Sequence, residues 1–322
     1  MNKIDYLKDF FPKFPPVGLE LSQRWAGLVQ VRRHKGMLEI ASYAIRQLTE
    51  GLIPCSLSES GELKMGEIRE MLSAAIRDCS HSLKRLSLVI PDNLARIVLF
   101  NNLPKIPRSR RELLELIKWR MEKKFPFKLE EAVVDFQLLP GAKGKSLLAI
   151  AIPINFIKQF EEMFSSLGIQ VGLIIPSSFA LVNFYYHMLY QDGESEDRFF
   201  INMSDYYISF FIFQGEKALF FRSKNLPRGI SLKDDSFALL IEQARLTLLY
   251  YQDNLKGENG LKFYLGGINP NLFQFKALLE KELLLEGEII NPSASNRLKE
   301  VSAVYERSMV NLSSALGAAL GI

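Results

Sequence analysis

A strand–turn–strand pattern that occurs twice limits the folds open to this chain of 322 residues. The first copy is Val17–Val31 (VGLELSQRWAGLVQV) and the second is Phe199–Phe213 (FFINMSDYYISFFIF). Each copy has an apolar strand, a serine with polar neighbours and a second apolar strand, and a glycine, Gly36 or Gly215, precedes a third strand-like run. A unit repeated in this way is typical of a duplicated, two-lobed α/β protein.

The composition predicts a folded protein of two domains. Hydrophobic residues make up 48% and aromatic residues 11% of the chain, enough for a large core. The net charge of +4 is too small and too dispersed to predict nucleic-acid binding. Cys55 and Cys79 are the only cysteines, and neither a signal peptide nor an apolar run of about 20 residues is visible. We therefore expect a cytoplasmic protein whose membrane contact is peripheral.

Residues 1–14 (MNKIDYLKDFFPKF) form a tail with apolar residues at helical spacing among lysines, and Pro12 interrupts that pattern. One interpretation is a segment that docks on a membrane surface or on a partner protein. The other is a segment that packs on its own domain. The sequence leaves both open.

Hydrophobic periodicity and turn residues predict the remaining elements. In the first half we expect a three-stranded meander at Val17–Ser22, Trp25–Arg33 and Met37–Gln47, a helix at Gly66–Ser80, paired strands at Leu86–Pro91 and Ala95–Leu103, a helix from Ser109 to a stop at Phe125–Phe127, strands at Ala132–Leu139 and Ser146–Pro153, a helix at Asn155–Leu167, a strand at Gln170–Ile175 and a helix at Ser177–Leu189. In the second half we expect strands at Arg198–Met203, Tyr206–Gln214 and Lys217–Ser223, a helix at about Ser236–Asn254, a strand at Leu261–Leu265, a helix at Pro270–Leu284, a strand at Glu288–Ile290 and a helix at about Tyr305–Leu320.

Several local patterns do not predict chemistry. Gly144-Lys145-Ser146 imitates the end of a P-loop, but Leu139 stands where that motif requires its first glycine, and the run joins two strands, so we interpret it as a hairpin turn. His34, His81 and His187 have no cysteine or acidic neighbour at metal-ligand spacing. Cys79 lies on the apolar face of its predicted helix and is interpreted as a core residue.

A strand that ends in two glycines, Phe263–Gly267 (FYLGG), is the sharpest local signal. Glycines at this point let a flat ring lie against the backbone, and the start of the following helix favours an anion. Many strand–helix turns contain two glycines, so the signal becomes specific only because it follows the duplicated meander and a long helix.

The chain resembles the actin-like family that includes PilM, FtsA and GspL, and most of all the PilM-like type IV pilus assembly proteins. The resemblance covers about residues 17–322 and rests on VGLELS, LVIPDNLARIVLFNNLP, ELLELIKWRMEKKFPF, VVDFQLL, SLLAIAIPINFIKQFEEMFSSLGIQVGLIIPSSFAL, FYLGGINPNL and SSALGAALG.

The resemblance implies an α/β, actin-like (ribonuclease H-like) duplicated fold of two lobes, with an α+β subdomain inserted in lobe one. The expected divisions are a tail at 1–14, the first part of lobe one at 15–85, the inserted subdomain at 86–172, the last part of lobe one at 173–190, a linker at 191–197 and lobe two at 198–322.

The resemblance also implies a nucleotide site in the cleft, and this chain departs from its pattern. Family members that bind ATP carry Asp-x-Gly in both phosphate loops, where this chain has Glu20-Leu21-Ser22 and Asn202-Met203-Ser204. Glu20 keeps the charge that orients Mg²⁺ and Asn202 loses it. The two serines add a Cβ, which would be strained if φ were positive. The implied cofactor is therefore ATP held weakly, or none, by Glu20, Ser22, Asn202, Ser204, Gly266 and Gly267.

The family also implies a partner site, in a groove between lobe one and the inserted subdomain that takes the cytoplasmic tail of a PilN-like inner-membrane protein. The predicted helix beside it carries Lys118, Trp119, Lys123 and Lys124. Trp is a frequent binding anchor. The alternative is that Trp119 packs on the phenylalanines that end the helix and that the lysines are only solvated.

Two functions of different class remain at this point. The first is a non-catalytic scaffold of a type IV pilus or related secretion complex, at the inner face of the inner membrane and held there by its partner, with contacts to other assembly components, possible self-association and no nucleic acid. The second is an active Mg-ATP-dependent ATPase or kinase of the same superfold. The missing loop carboxylates favour the scaffold, because a kinase needs a general-base Asp in the cleft.

Overall fold

The computed structural model describes residues 15–34, 37–57, 63–79, 83–101, 103, 106–107, 109–122, 129–141, 144–189, 197–215, 217–226, 234–255, 260–267, 271–290 and 310–320. The predicted tail at 1–14, the predicted helix stop at 125–127, most of the predicted linker at 191–197 and the start of the last predicted helix lie outside the described residues.

The described strands are β1 (Val17–Leu21), β2 (Trp25–His34), β3 (Met37–Gln47), β4 (Arg85–Ile90), β5 (Arg96–Phe100), β6 (Ala132–Gly141), β7 (Gly144–Pro153), β8 (Gln170–Pro176), β9 (Asp197–Met203), β10 (Tyr207–Gln214), β11 (Lys217–Asn225), β12 (Leu261–Gly266) and β13 (Gly287–Ile289). The described helices are α1 (Met65–Cys79), α2 (Arg110–Glu122), α3 (Ile154–Ser166), α4 (Ser177–Leu189), α5 (Asp234–Leu255), α6 (Leu272–Leu283) and α7 (Ser313–Leu320). None of these helices is long and apolar enough to cross a membrane.

Two five-stranded sheets have the same strand order, β3-β2-β1-β4-β8 and β11-β10-β9-β12-β13. In each sheet three strands form an antiparallel meander and the last two run parallel to its first strand. The duplication predicted from the two strand–turn–strand copies is therefore confirmed.

Helices and sheets alternate in five layers. Helices α1 and α3 cover the outer face of the first sheet in one core. Helices α4 and α7 lie between the sheets, in a core that contains Val31 of the first sheet and Phe211 of the second. Helices α5 and α6 cover the outer face of the second sheet. The parallel strands β4 and β9 are buried on both faces, as this arrangement requires.

A third sheet, β5-β7-β6, forms the inserted subdomain, with α2 packed on one face. Its strands lie between Arg96 and Pro153. The predicted limits of 86 and 172 are therefore too wide, since β4 and β8 belong to the first lobe sheet and α3 packs in its core.

The predicted strand pair at 86–91 and 95–103 is wrong for a related reason. A short 3₁₀ turn at Asp92–Leu94 redirects the chain, so that β4 pairs with β1 and β8, while β5 pairs with β7. Two consecutive strands thus enter different sheets. Periodicity shows that each is a strand but does not show its partner.

The inserted subdomain contacts lobe two as well as lobe one. Strands β5 and β6 pack against β11, and Leu99, Leu139 and Phe221 lie together at the central core. The amide Nδ2 of Asn101 donates to the carbonyl oxygen of Leu219 at 2.6 Å. The subdomain therefore connects the two lobes along one side.

Candidate functional site

The two strand–turn–strand loops are built alike. The N–H of Ser22 donates to the carbonyl oxygen of Trp25 at 2.8 Å, and the N–H of Ser204 donates to that of Tyr207 at 3.0 Å. The residue before each of these acceptors is Arg24 or Tyr206. Its carbonyl oxygen accepts from the backbone N–H of the residue that follows the third strand, at 2.7 Å in the first loop and 2.8 Å in the second. The loops are therefore structural equivalents, and both line one cleft, as the sequence predicted.

Serine at the two glycine positions is not strained. Among the described residues other than glycine, Leu284 alone has a positive φ, so Ser22 and Ser204 have backbone angles that any residue adopts. The Ser22 hydroxyl also closes its own turn, since it lies 3.0 Å from the carbonyl oxygen of Trp25 and accepts from the N–H of Trp25 at 2.9 Å. Here the serine side chain stabilises the turn in the manner of an ST-turn.

The cleft between the loops is nearly filled. Its free volume is about 30 Å³, which is room for a water molecule or two, whereas pockets for small ligands measure roughly 300–1,000 Å³. The lining combines both loops with the starts of α4 and α7, namely Glu20, Ser22, Gln23, Arg24, Trp25, Ser177, Leu181, Asn202, Met203, Ser204, Asp205, Tyr206, Tyr207, Gly267 and Ser314. In this conformation the cleft does not accommodate a nucleotide.

A buried polar network joins the lobes at the floor of the cleft, with Asp92 at its centre. Its carboxylate accepts from the N–H of Ser178 at 2.9 Å, from the Ser178 hydroxyl, and from the Ser209 hydroxyl at 2.6 Å. Nδ2 of Asn202 donates to the Ser178 oxygen at 2.7 Å. Asp92 and Ser178 belong to lobe one, whereas Asn202 and Ser209 belong to lobe two. Burial raises the pKa of Asp92, although these hydrogen bonds partly offset the effect.

Asp92 was missed as a site residue because it was interpreted as a turn residue between two paired strands. One signal could have identified it. It lies two residues after a strand whose last five residues are buried, and ligands of open α/β sheets bind beyond the carboxyl ends of parallel strands.

Glu20 faces the cleft from the first loop position of lobe one and is buried, with 5% of its surface exposed. Its Oε1 accepts from the Ser177 hydroxyl at 3.2 Å, and Ser177 lies 3.1 Å from the Ser314 hydroxyl. Oε2 has no hydrogen-bond partner among the described residues. Burial is the main cause that raises the pKa of Glu20 to about 7, and the charge of Asp92 adds to it.

Gly267 is required by packing within the protein. It has a φ of 110°, and a Cβ there would lie 2.2 Å from the carbonyl oxygen of Met203 and 2.7 Å from Oδ1 of Asn202. Gly266 pairs with Asn202 across the sheet and packs on the Phe200 ring. The glycine pair that predicted a binding surface for adenosine therefore also packs against the end of β9. This contact is enough to require a glycine at position 267 without any ligand.

Side chains at the rim hold the two loops together. Nε of Arg24 lies 3.4 Å from Oδ2 of Asp205, and the Arg24 guanidinium lies 5.8 Å from the centre of the Tyr206 ring. The Tyr206 hydroxyl donates to Oε1 of Glu50 at 3.2 Å. Arg24 and Glu50 come from lobe one, and Asp205 and Tyr206 from lobe two. These contacts at the rim therefore join the two lobes, as the Asp92 network does at the floor of the cleft.

The predicted cleft residues come together, and the predicted partner residues lie elsewhere. Glu20, Ser22, Asn202, Ser204 and Gly267 line the cleft, with Gly266 beside Gly267. In contrast, Trp119 and Lys118 are on α2 of the inserted subdomain. The Trp119 side chain is 66% exposed and Lys118 is half-buried. Lys123 and Lys124 lie outside the described residues.

The structure shows where several of the residues set aside in the sequence lie. Gly144 and Lys145 belong to the hairpin between β6 and β7, as expected. Cys79 is buried in the core of lobe one. The part of the chain that the structure describes contains no cluster of His, Cys, Asp and Glu that could hold a metal ion.

Solved structures share this fold at low sequence identity. The chain is similar to the structure described as the "PilM-PilN type IV pilus biogenesis complex", with a TM-score of 0.76, 18% identity, and coverage of 96% of this chain and 98% of that chain. It is also similar to a protein of unknown function from Bacteroides thetaiotaomicron with an actin-like ATPase fold, with a TM-score of 0.54, 13% identity, and coverage of 97% and 99%. The fold is therefore actin-like. No protein-family model matches the chain, and no curated protein matches it by sequence.

Proposed function

We propose that this protein is a non-catalytic, actin-like scaffold of a type IV pilus or related secretion complex, and that it binds the cytoplasmic tail of a PilN-like inner-membrane protein. The single observation that carries the non-catalytic part is the closed cleft. It has about 30 Å³ of free volume where a nucleotide would lie. The shared fold over 96% of the chain supports the assignment to a pilus or secretion assembly.

The contacts between the lobes explain how such a protein keeps its shape without a nucleotide. In an actin-like ATPase the nucleotide would bridge two lobes, and here Asp92 and Ser209 meet directly at 2.6 Å. The two lobes and the subdomain then form one rigid support, which suits a subunit that positions a membrane partner.

The proposed location is the cytoplasmic face of the inner membrane, with attachment through the partner. The proposed partner site is the side of the inserted subdomain that carries α2. Trp119 is exposed there at 66%, which leaves an aromatic anchor open to solvent. Lys123 and Lys124 follow α2 in sequence and would supply positive charge beside it.

An ATPase is the second candidate, and one observation favours it. Glu20 retains a buried carboxylate at the cleft, where a hydrated Mg²⁺ would be oriented, and its Oε2 has no hydrogen-bond partner among the described residues. Opening of the cleft by rotation of the lobes would first have to break the Asp92 network. The residues present therefore do not fit a bound Mg-ATP in this conformation.

Three measurements test the proposal. Titration calorimetry of the purified full chain with ATP and Mg²⁺ should show no binding, and Mg²⁺-dependent turnover would instead establish the ATPase. Affinity purification of the tagged chain from membranes of its own cells should recover a membrane protein with a short cytoplasmic tail. A synthetic peptide of that tail should then bind the purified chain with a Kd in the micromolar range, about −8 kcal/mol. A tail that does not bind directly would contradict the scaffold function.

A further inference from the structure

Exposed apolar side chains are concentrated on the outer layer of lobe two. Seven large hydrophobic residues among the described ones are exposed, and five of them lie on α5, on α6 or directly after α6. These five are Leu246, Leu249, Tyr250, Phe273 and Leu284. Phe273 is 78% and Leu284 87% exposed, and Leu284 also has a φ of 54°, which is unfavourable for leucine. Exposed apolar side chains gathered on one layer of a folded protein favour an interaction site in that layer.

A groove runs between α5 and α6 in the same outer layer. Its free volume is about 410 Å³, and it is lined by Phe237, Ala238, Ile241, Glu242, Arg245, Gln274, Leu278 and Glu282. The helices run in the same direction, since Phe237 stacks on Phe275 at 5.4 Å and Arg245 pairs with Glu282 at 2.9 Å. From Phe237 to Arg245 the α5 side of the groove extends for about 12 Å. An amphipathic helix could lie along it with its apolar face down.

We propose that this α5–α6 groove binds residues 1–14 of a second copy of the chain. Ile4, Leu7 and Phe11 recur at helical spacing in that segment. The stretch from Ile4 to Phe11 would span about 10 Å as a helix, which fits within the length of the groove. The segment has three lysines and two aspartates, whereas the groove lining has two glutamates and one arginine, so the charges +1 and −1 are complementary.

The segment cannot reach the groove of its own molecule. It joins the described chain at Pro15 and Pro16, and the Pro16 carbonyl accepts from the N–H of Val31 in the first sheet. The groove lies beyond α4, α7 and the second sheet, three layers of about 10 Å each from the first sheet. Four or five residues span at most about 17 Å. The occupant is therefore the segment of a neighbouring copy, and the contact is head-to-tail.

Two variants of the whole chain each disrupt one side of this contact. Leu7→Asp places a charge in the apolar stripe of the segment, and Ala238→Arg fills the groove and reverses its charge. The matched control is Gln252→Arg, which adds the same charge to an exposed position of α5 outside the groove lining. Circular dichroism verifies that each variant is folded.

Sedimentation velocity over a range of protein concentrations measures the oligomeric state of each variant. The wild type and Gln252→Arg should rise above the monomer mass of 36.8 kDa as concentration increases, whereas Leu7→Asp and Ala238→Arg should each remain monomeric. An equal mixture of those two variants should form pairs and nothing larger, because it retains one intact segment and one intact groove per pair. A wild type that stays monomeric at every concentration, or a mixture that forms no pairs, would overturn the proposal.

Discussion

The hydroxyl of Ser209, on β10 of lobe two, lies 2.6 Å from Oδ2 of Asp92, which follows β4 of lobe one. Because a hydroxyl has one proton, donation to Asp92 leaves the Ser223 hydroxyl, 2.9 Å away, to donate to Ser209. The hydrogen bonds therefore run from Asp92 in lobe one through Ser209 to Ser223, both in the sheet of lobe two. They join the lobes directly at the floor of the cleft.

The Asp92 network should be a large contributor to stability. Asp92→Ala leaves the hydroxyls of Ser178 and Ser209 and the N–H of Ser178 buried without their acceptor, and we expect a loss of about 3 kcal/mol in the free energy of unfolding. Urea denaturation followed by circular dichroism measures it. Asp135→Ala is the control, because Asp135 forms an exposed ion pair with Arg110 at 2.8 Å, and its loss should stay below about 1 kcal/mol. Equal losses in the two variants would show that Asp92 does not hold the lobes.

Glu20 should make the protein less stable as the pH rises. Its folded pKa is raised from 4.5 to about 7, so between these values the folded state keeps a proton that the unfolded state has lost. The free energy of unfolding therefore falls by about 3 kcal/mol in total across this window, and it is constant above the window. The side chain at position 20 of Glu20→Gln does not titrate, so this variant does not lose stability in this way.

The measurement is urea denaturation of the wild type and Glu20→Gln at pH 5, 6, 7 and 8. The stability of Glu20→Gln relative to the wild type should increase with pH and reach its largest value at pH 8. A difference that is the same at all four values would mean that Glu20 titrates normally and that the cleft is open to water.

Gly267 should be needed for folding stability independently of any nucleotide. Gly267→Ala puts a Cβ 2.2 Å from the Met203 carbonyl oxygen at a positive φ, whereas Gly144→Ala adds only backbone strain, because nothing lies within 4 Å of its Cβ at a φ of 120°. We expect a loss of about 1 kcal/mol for Gly144→Ala and at least about 2 kcal/mol more for Gly267→Ala. Thermal denaturation without nucleotide compares them, and equal shifts in midpoint would show that the Met203 contact can relax.

The sequence predicted the duplication because it depends on a local pattern, whereas the cleft was implied by the family resemblance. Ser22 and Ser204 each follow an apolar strand and precede another, and a repeated local unit folds in the same way twice. The antiparallel meanders were predictable for the same reason, since neighbouring strands joined by short turns pair with each other.

What the sequence did not show depends on contacts between distant residues. Asp92 and Ser209 are 117 positions apart, and nothing near either residue in the chain indicates the other. The limits of the inserted subdomain were misplaced because β4 and β5 are adjacent in sequence but pair in different sheets. The filling of the cleft is likewise set by how the lobes approach each other, which no local pattern encodes.

Trp119 should be an anchor for the proposed membrane partner. The probe is a labelled peptide of the cytoplasmic tail of the membrane protein recovered with the chain, titrated by fluorescence anisotropy. Trp119→Ala removes an exposed aromatic side chain without touching a core, so the fold should be unchanged. We expect at least a tenfold weaker affinity, in line with about 2 kcal/mol for loss of one aromatic anchor.

The charged residues after α2 are tested in the same titration. Lys123→Glu combined with Lys124→Glu should weaken binding of an acidic tail and make the remaining affinity less sensitive to salt. Phe273→Ala is the matched control, because it removes another exposed aromatic residue, at the outer layer of lobe two. If Trp119→Ala and the double lysine variant bind the peptide as tightly as Phe273→Ala does, the tail does not use α2, and the partner site lies on another surface of the protein.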